Sequence, residues 1–546
     1  MDERSVRGAG ESSAALIDRA DAEPSAPEPS GHGAAWTATL VRAAVLPLLT
    51  TLPLLGIAFR ADKRFNIYAF GGEYHGRPWG LLVDTARGVP TYLNNHGNFR
   101  PLGRILERSQ DLLTFELSFL LALPANVTSR LLGSVSMVAL VVLSTLLAAA
   151  VASRTPLRAA PPSAVAHLVP LAAAGLLIAA GSQSTVVLFT DMYFSTAAVV
   201  VGVALVAVRH GPFERRRLGT GAVVGAFLLG AAMASFNELA YLVAPVAVLA
   251  VAGRGLLTLR LSVRDLVASA AGRQLGAGMA GFLAVFVPLR LYIAQRCSVT
   301  TCYAQSEVHL SSDVPGVLVN RLGSWLPWSA WDVAVGRTPG NWFLTSRAAD
   351  LLVWAVIVAL AVVMARRASA APVVGGRALL AVAATGAVTT LSAALLTALS
   401  REVQQRALDG WPLGHGWRES NLLLAGVAMV LVAGLLALAG RDRGPRRRAV
   451  VAAGTAVLTV VCLVTVSANQ TFARAERTSA EPPLHDRIAL EMLAFVPTPE
   501  GDARRCALLE EFFEVNGNER HHQRLRHAVR NGAQAQWGRP FCEADA

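Results

Sequence analysis

Asp62, Glu73, Asp84, Asp191 and Glu238 stand just beyond, or at the ends of, long apolar runs. A carboxylate at a membrane boundary is costly unless it is paired, hydrated or used, so each is a candidate proton acceptor or ligand. Basic and amide groups fall in the same kind of connection. The stretch "NNHGNFRPLGR" gathers Asn95, His96, Arg100 and Arg104, "SREVQQR" puts Arg401 and Arg406 directly after another apolar run, and "ASFNELAYLVAP" sets Asn237 beside Glu238. Arginine grips phosphate through paired hydrogen bonds, whereas Asn, His and Trp side chains suit sugar hydroxyls and faces. A lipid phosphate sits at that same boundary. Taken singly, each carboxylate also reads as a solvated helix end, and Arg100 and Arg104 as arginines snorkelling to headgroups. Trp325, Trp328, Trp331 and Trp342 read as an interfacial belt or as a sugar-stacking platform.

Positioning such groups falls to the apolar runs. The chain has 546 residues, 53% of them hydrophobic and 16% charged, a balance that repeated runs of about 20 apolar residues explain better than one soluble core. Runs near residues 37–59, 130–152, 165–181, 185–208, 218–236, 239–253, 274–294, 348–365, 377–400, 420–440 and 449–467 predict about eleven spanning helices. The fold class expected is therefore an all-α polytopic membrane protein. Arginines at 154 and 158, 209 and 215–217, 254, 260 and 264, 366 and 367, and 441, 443 and 446–448 mark every second connection as cytoplasmic. An odd number of spans then puts the N-terminus inside, and the long connections and C-terminus outside the plasma membrane.

This ordering divides the chain into an acidic, Pro/Ser-rich cytoplasmic tail (1–35), a membrane core (36–467) and an outer C-terminal region (468–546). The outer loops are 60–129, 295–347 and 401–419. The first contains an amphipathic stretch, "RPLGRILERSQDLLTFELSFLLALP", that suits a helix lying in the interface. Glycine pairs Gly221/Gly225 and Gly272/Gly276 read as close helix packing. Cys297 and Cys302 share one outer loop and Cys506 and Cys542 share the tail, so two disulfides are expected, with Cys462 left inside the last run. The net charge of +12 does not indicate nucleic acid, because no basic stripe is interleaved with stacking aromatics. Lys63 is the chain's only lysine.

An acidic residue directly after the first span ("FRADKRFNIY"), then "NNHGNFRPLGR" before an interfacial helix, then short turns carrying Asp191 and "FNE", resembles the GT-C superfamily of integral-membrane glycosyltransferases. The likeness covers the layout of the membrane core, and is nearest to the bacterial branch that uses polyprenyl-phosphate sugars. It implies a polyprenyl-phosphate-linked donor, membrane lipid around it, a cell-envelope glycan or lipid acceptor, and no nucleic acid. It also implies an acidic residue of the first outer loop as base, here Asp62 first and Glu73 second, with Asn95, His96, Arg100, Arg104, Asp191, Asn237, Glu238 and Arg401 about the substrates. The paired acidic motif common in that family is absent, since Lys63 follows Asp62. Asp62 with Asp191 or Glu238 could hold a divalent cation. A polysaccharide polymerase or ligase, a multi-span transporter and an assembly protein are the alternatives. A transporter is expected to carry ionisable groups near mid-span, and these runs are nearly free of them.

Overall fold

Hydrocarbon offers no hydrogen-bond partner, so repeated apolar runs satisfy their backbone as helices. The computed structural model describes residues 32–179, 184–210, 213, 218–298, 302–303, 307–325, 348–410, 416–440 and 444–543. Among these, every regular element is a helix, and an isolated β-bridge joins Val308 to Ser400. Among the described residues, nine helices, from His32–Leu54 to Pro445–Arg477, are long and apolar enough to cross a membrane, and Ala164–Gly175 and Thr220–Ala234 are shorter apolar helices. They fall on the runs read from sequence, and the chain is a polytopic helical membrane protein. The tail to residue 31, Trp328, Trp331, Trp342 and the arginines at 215–217, 441 and 443 lie outside the described residues.

The short Ala164–Gly175 helix is interior, with all 12 of its residues buried. Just beyond it the chain is no longer helical, and Asn469, fully buried on the Pro445–Arg477 helix, takes over its hydrogen bonding. The Asn469 side chain accepts from the Ala179 N–H at 2.8 Å and donates to the carbonyls of Leu177 at 3.0 Å and Thr50 at 2.9 Å. Irregular backbone inside a bundle persists where a side chain satisfies it in this way.

Close helix packing does not run through the glycines expected from spacing. Gly221, Gly225 and Gly276 face open space, and Gly272 packs on the Leu266 carbonyl just before its own helix. The tight approach between Thr220–Ala234 and Ala270–Cys297 instead uses Gly230 against the Gly278 carbonyl and Gly281 against the Phe227 carbonyl. A small-residue spacing names a packing face but not which glycine meets the partner.

Two regions read from sequence as loop and tail form a second core. The first long connection folds into three helices, Lys63–Tyr74, Pro78–His96 and Pro101–Leu120. The last span continues unbroken to Arg477, so the C-terminal unit starts later than residue 468 and comprises Pro482–Leu493, Pro499–Asn516 and Glu519–Trp537. Phe65, Ile67, Tyr68 and Phe115 of the first set pack with Ile488, Phe512, Leu525 and Val529 of the second. The disulfide Cys506–Cys542 closes the tail unit, and Cys297–Cys302 closes the other pair.

The two sets meet backbone to backbone at Gly72, where a Cβ would lie 2.5 Å from the Asn531 carbonyl. Backbone cannot swing aside as a side chain can, so Gly72→Val is expected to weaken this docking by about 2 kcal/mol or more. Limited proteolysis of membranes should then cleave residues 482–543 at least about tenfold faster than in wild type. An unchanged rate would show that the contact at Gly72 does not hold the tail.

Candidate functional site

A cleft opens at the end of the bundle that carries these extra helices. It has two chambers, of about 220 and 270 Å³, which share Arg100, Met192, Tyr193, Trp417 and Arg418 in their walls. Asp62 and Glu107 face the second chamber, and Asn237, Glu238 and Arg290 line the first. Carboxylates and guanidiniums from separate segments of the chain therefore line two adjoining chambers with a wall in common.

Local structure sets each group. Asp62 is the N-cap of Lys63–Tyr74 and follows Ala61, whose φ of +48° is rare for a residue with a Cβ. Phe189, on the facing wall, has the same φ of +48°. Such conformations persist where the surroundings over-determine them. Nearby, Arg130 donates to the carbonyls of Ala58 at 3.2 Å and Val187 at 2.5 Å and so ties the two segments together. Arg100 is the N-cap of Pro101–Leu120, a helix whose open first turn donates from Leu102 and Gly103 to the carbonyls of Ser235 and Phe236. A Cβ at Gly103 would collide with that Phe236 carbonyl, so the glycine lets the helix end reach the turn bearing Asn237 and Glu238. Asn237 accepts from the Ala240 N–H at 3.0 Å and donates to Thr196 at 2.9 Å, which fixes the turn.

Arg100 stays charged: burial opposes this, but Glu107 and Glu238 outweigh it and push the guanidinium's pKa up. Arg418 lies over the rings of Trp417 at 5.2 Å and Tyr193 at 5.6 Å, and Arg406 covers the Trp417 ring at 4.6 Å. Tyr303 joins the wall, and its N–H donates to the His96 carbonyl at 3.0 Å. The adjoining Cys297–Cys302 disulfide packs on Gly97, which ends its helix at φ +59°. Asp62 itself is 55% exposed and pairs with Arg524 of the C-terminal unit at 2.9 Å.

Of the residues singled out from sequence, Asp62, Arg100, Asn237, Glu238 and Arg406 line the cleft. The others are placed elsewhere. Glu73 faces Arg77 at 3.9 Å on the far end of its helix, Asn95 and His96 are exposed, Arg104 stacks on Tyr92 at 3.2 Å, and Arg401 pairs with Glu307 at 3.1 Å on the rim. Asp191 lies behind the wall, 1% exposed, with Lys63 Nζ 2.6 Å from its Oδ2. The same ammonium is 2.6 Å from Asp111 Oδ1. This buried triad ties the segment bearing Asp62 to the one bearing Met192 and Tyr193, and sequence reasoning missed both Lys63 and Asp111. The signal was there in a lone lysine and in Asp111 within an otherwise amphipathic helix.

Asp191 is not free to join Asp62 in holding a divalent cation, because Lys63 occupies its carboxylate. Among the described residues the one cluster of three ligand-type groups is Asp502, Cys506 and Cys542, and its two sulfurs are bonded to each other.

Burial pushes the Asp111 carboxyl up to about 7, with Lys63 opposing and Asp191 adding, and Asp111 Oδ2 has no hydrogen-bond partner. An unfolded aspartate releases its proton near pH 4, so between about pH 4 and 7 the folded chain holds a proton that the unfolded chain has lost. This group's contribution to stability is therefore largest below about pH 4 and is lost as pH rises to about 7. Asp111→Asn is expected to cost less stability at pH 8 than at pH 5, read as melting temperature in detergent. A cost that grows with pH would show that Asp111 is ionised against Lys63 throughout. No protein-family model matches this chain, and no curated protein matches it.

Proposed function

We propose that the chain is an integral-membrane glycosyltransferase of the GT-C kind, moving a sugar from a polyprenyl-phosphate donor to a cell-envelope glycan or lipid acceptor on the outer face of the plasma membrane. The observation that supports this reading is the chamber lined together by Asp62, Arg100 and Arg418, at the end of the bundle and beside Tyr193 and Trp417. In this reading Asp62 takes the proton of an acceptor hydroxyl as its oxygen bonds to the anomeric carbon. The bond from that carbon to the phosphate oxygen breaks, and Arg100 and Arg418 hold the departing lipid phosphate. Attack opposite the leaving group inverts the anomeric centre. The aromatic rings offer the apolar sugar face a surface, and no nucleotide is needed.

Deleting the gene is expected to remove one glycosyl linkage from the cell envelope, and restoring the wild-type chain to bring it back. Linkage analysis of the purified envelope reads this directly. An envelope unchanged by deletion would remove the support for transfer and make transport the reading to pursue.

A further inference from the structure

The opposite end of the bundle holds a second polar cavity, of about 540 Å³. It lies where the Ala125–Ala152 helix ends and the Gly376–Ala398 helix begins, and the other ends of those helices face the candidate cleft and its tail. Arg154, Arg260 and Arg377 line it, and no acidic residue does. None of the three has an ion pair or hydrogen bond through its side chain among the described residues. Orientation by positive charge accounts for arginines in such connections. It does not account for three of them, from three connections, converging on one acid-free hollow.

Two further features match an anion. Gly375 caps Gly376–Ala398 without a side chain, so the first-turn N–H groups of residues 376–378, all in the wall, keep unspent hydrogen-bonding capacity. Ser163, also in the wall, has a buried hydroxyl with no partner. Arg260 is held at φ +63°, a backbone conformation that an arginine adopts only where its surroundings impose it. We propose that this cavity binds a phosphate group, carried either by an anionic lipid headgroup or by a free phosphorylated molecule. Guanidiniums supply paired donors to phosphate oxygens, and the helix end adds backbone donors and a favourable dipole.

The test uses the full chain in neutral detergent, with melting followed by tryptophan fluorescence. Dioctanoyl phosphatidylglycerol is titrated against dioctanoyl phosphatidylcholine, and sodium phosphate against sodium chloride at equal ionic strength. A saturable rise in melting temperature with phosphatidylglycerol alone assigns the site to a headgroup, and a rise with inorganic phosphate as well assigns it to free phosphate. No rise beyond the phosphatidylcholine and chloride controls overturns the proposal, whatever the variants do. The triple variant Arg154→Gln, Arg260→Gln, Arg377→Gln should weaken the apparent affinity at least about tenfold. Arg158→Gln, an exposed arginine outside the cavity, should leave it unchanged. An equal loss from Arg158→Gln would show diffuse surface charge and overturn the site.

Discussion

Asp62→Asn is expected to lower sugar transfer by about 10²–10⁴-fold, the usual worth of a positioned general base, with little change in folded protein. The substitution keeps the side chain's shape and leaves an oxygen to accept from Arg524, so the contact at 2.9 Å between the first loop and the C-terminal unit need not open. At 55% exposure the side chain is also wet enough that losing its charge strands no buried partner. What is lost is the ability to take a proton. Membranes matched for protein amount, supplied with a polyprenyl-phosphate sugar and a hydroxyl acceptor, read the effect directly. Transfer within about twofold of wild type would move the base to Glu107, Glu238 or Glu307, the other carboxylates in the cleft walls. Arg524→Gln separates the two jobs of this contact. If the ion pair only anchors the tail, transfer falls together with resistance to proteolysis; if it restrains the carboxylate, transfer rises while the tail stays docked.

The membrane core was legible because its signal is local. Each apolar run of spanning length is its own evidence, and both expected disulfides join cysteines of one connection or one tail. The site was legible only in part. Asp62, Arg100, Asn237 and Glu238 line one cleft because two connections converge, and sequence can rank each as a helix-end polar group without saying which share a cavity. Asp191 looks identical to Glu238 in sequence, both opening a span, yet one is locked to a lysine 128 residues away and the other faces the cleft. The second core was hidden for the same reason. Neither the Lys63–Tyr74 helix nor Glu519–Trp537 shows a partner in its own pattern, and the fit depends on Gly72 meeting a backbone carbonyl from the far end of the chain.

At pH 8, where Asp111 has released its proton, Lys63→Met is expected to cost about 3–5 kcal/mol of stability, because it leaves the carboxylates of Asp111 and Asp191 buried without their shared cation. Both are essentially inaccessible, at 0% and 1%, and Lys63 itself is 4% exposed. Burial alone would push the lysine's proton off, but the two carboxylates outweigh it and hold the ammonium charged. Every other basic position in the chain is arginine or histidine, and this one is explained by its geometry. A compact ammonium fits between two carboxylate oxygens at 2.6 Å each, where a planar guanidinium would have to spread them. The damage should be non-additive. Lys63→Met combined with Asp111→Asn and Asp191→Asn replaces the charges by neutral groups of similar volume and should recover much of the lost melting temperature. If the triple variant is no more stable than Lys63→Met alone, the triad contributes through shape and not through charge. Because Lys63 directly follows Asp62, and Asp191 directly precedes two residues of the cleft wall, the recovered variant also reports on function. Restored folding with restored transfer makes the triad a scaffold, and restored folding without transfer makes its charge part of how the cleft is set.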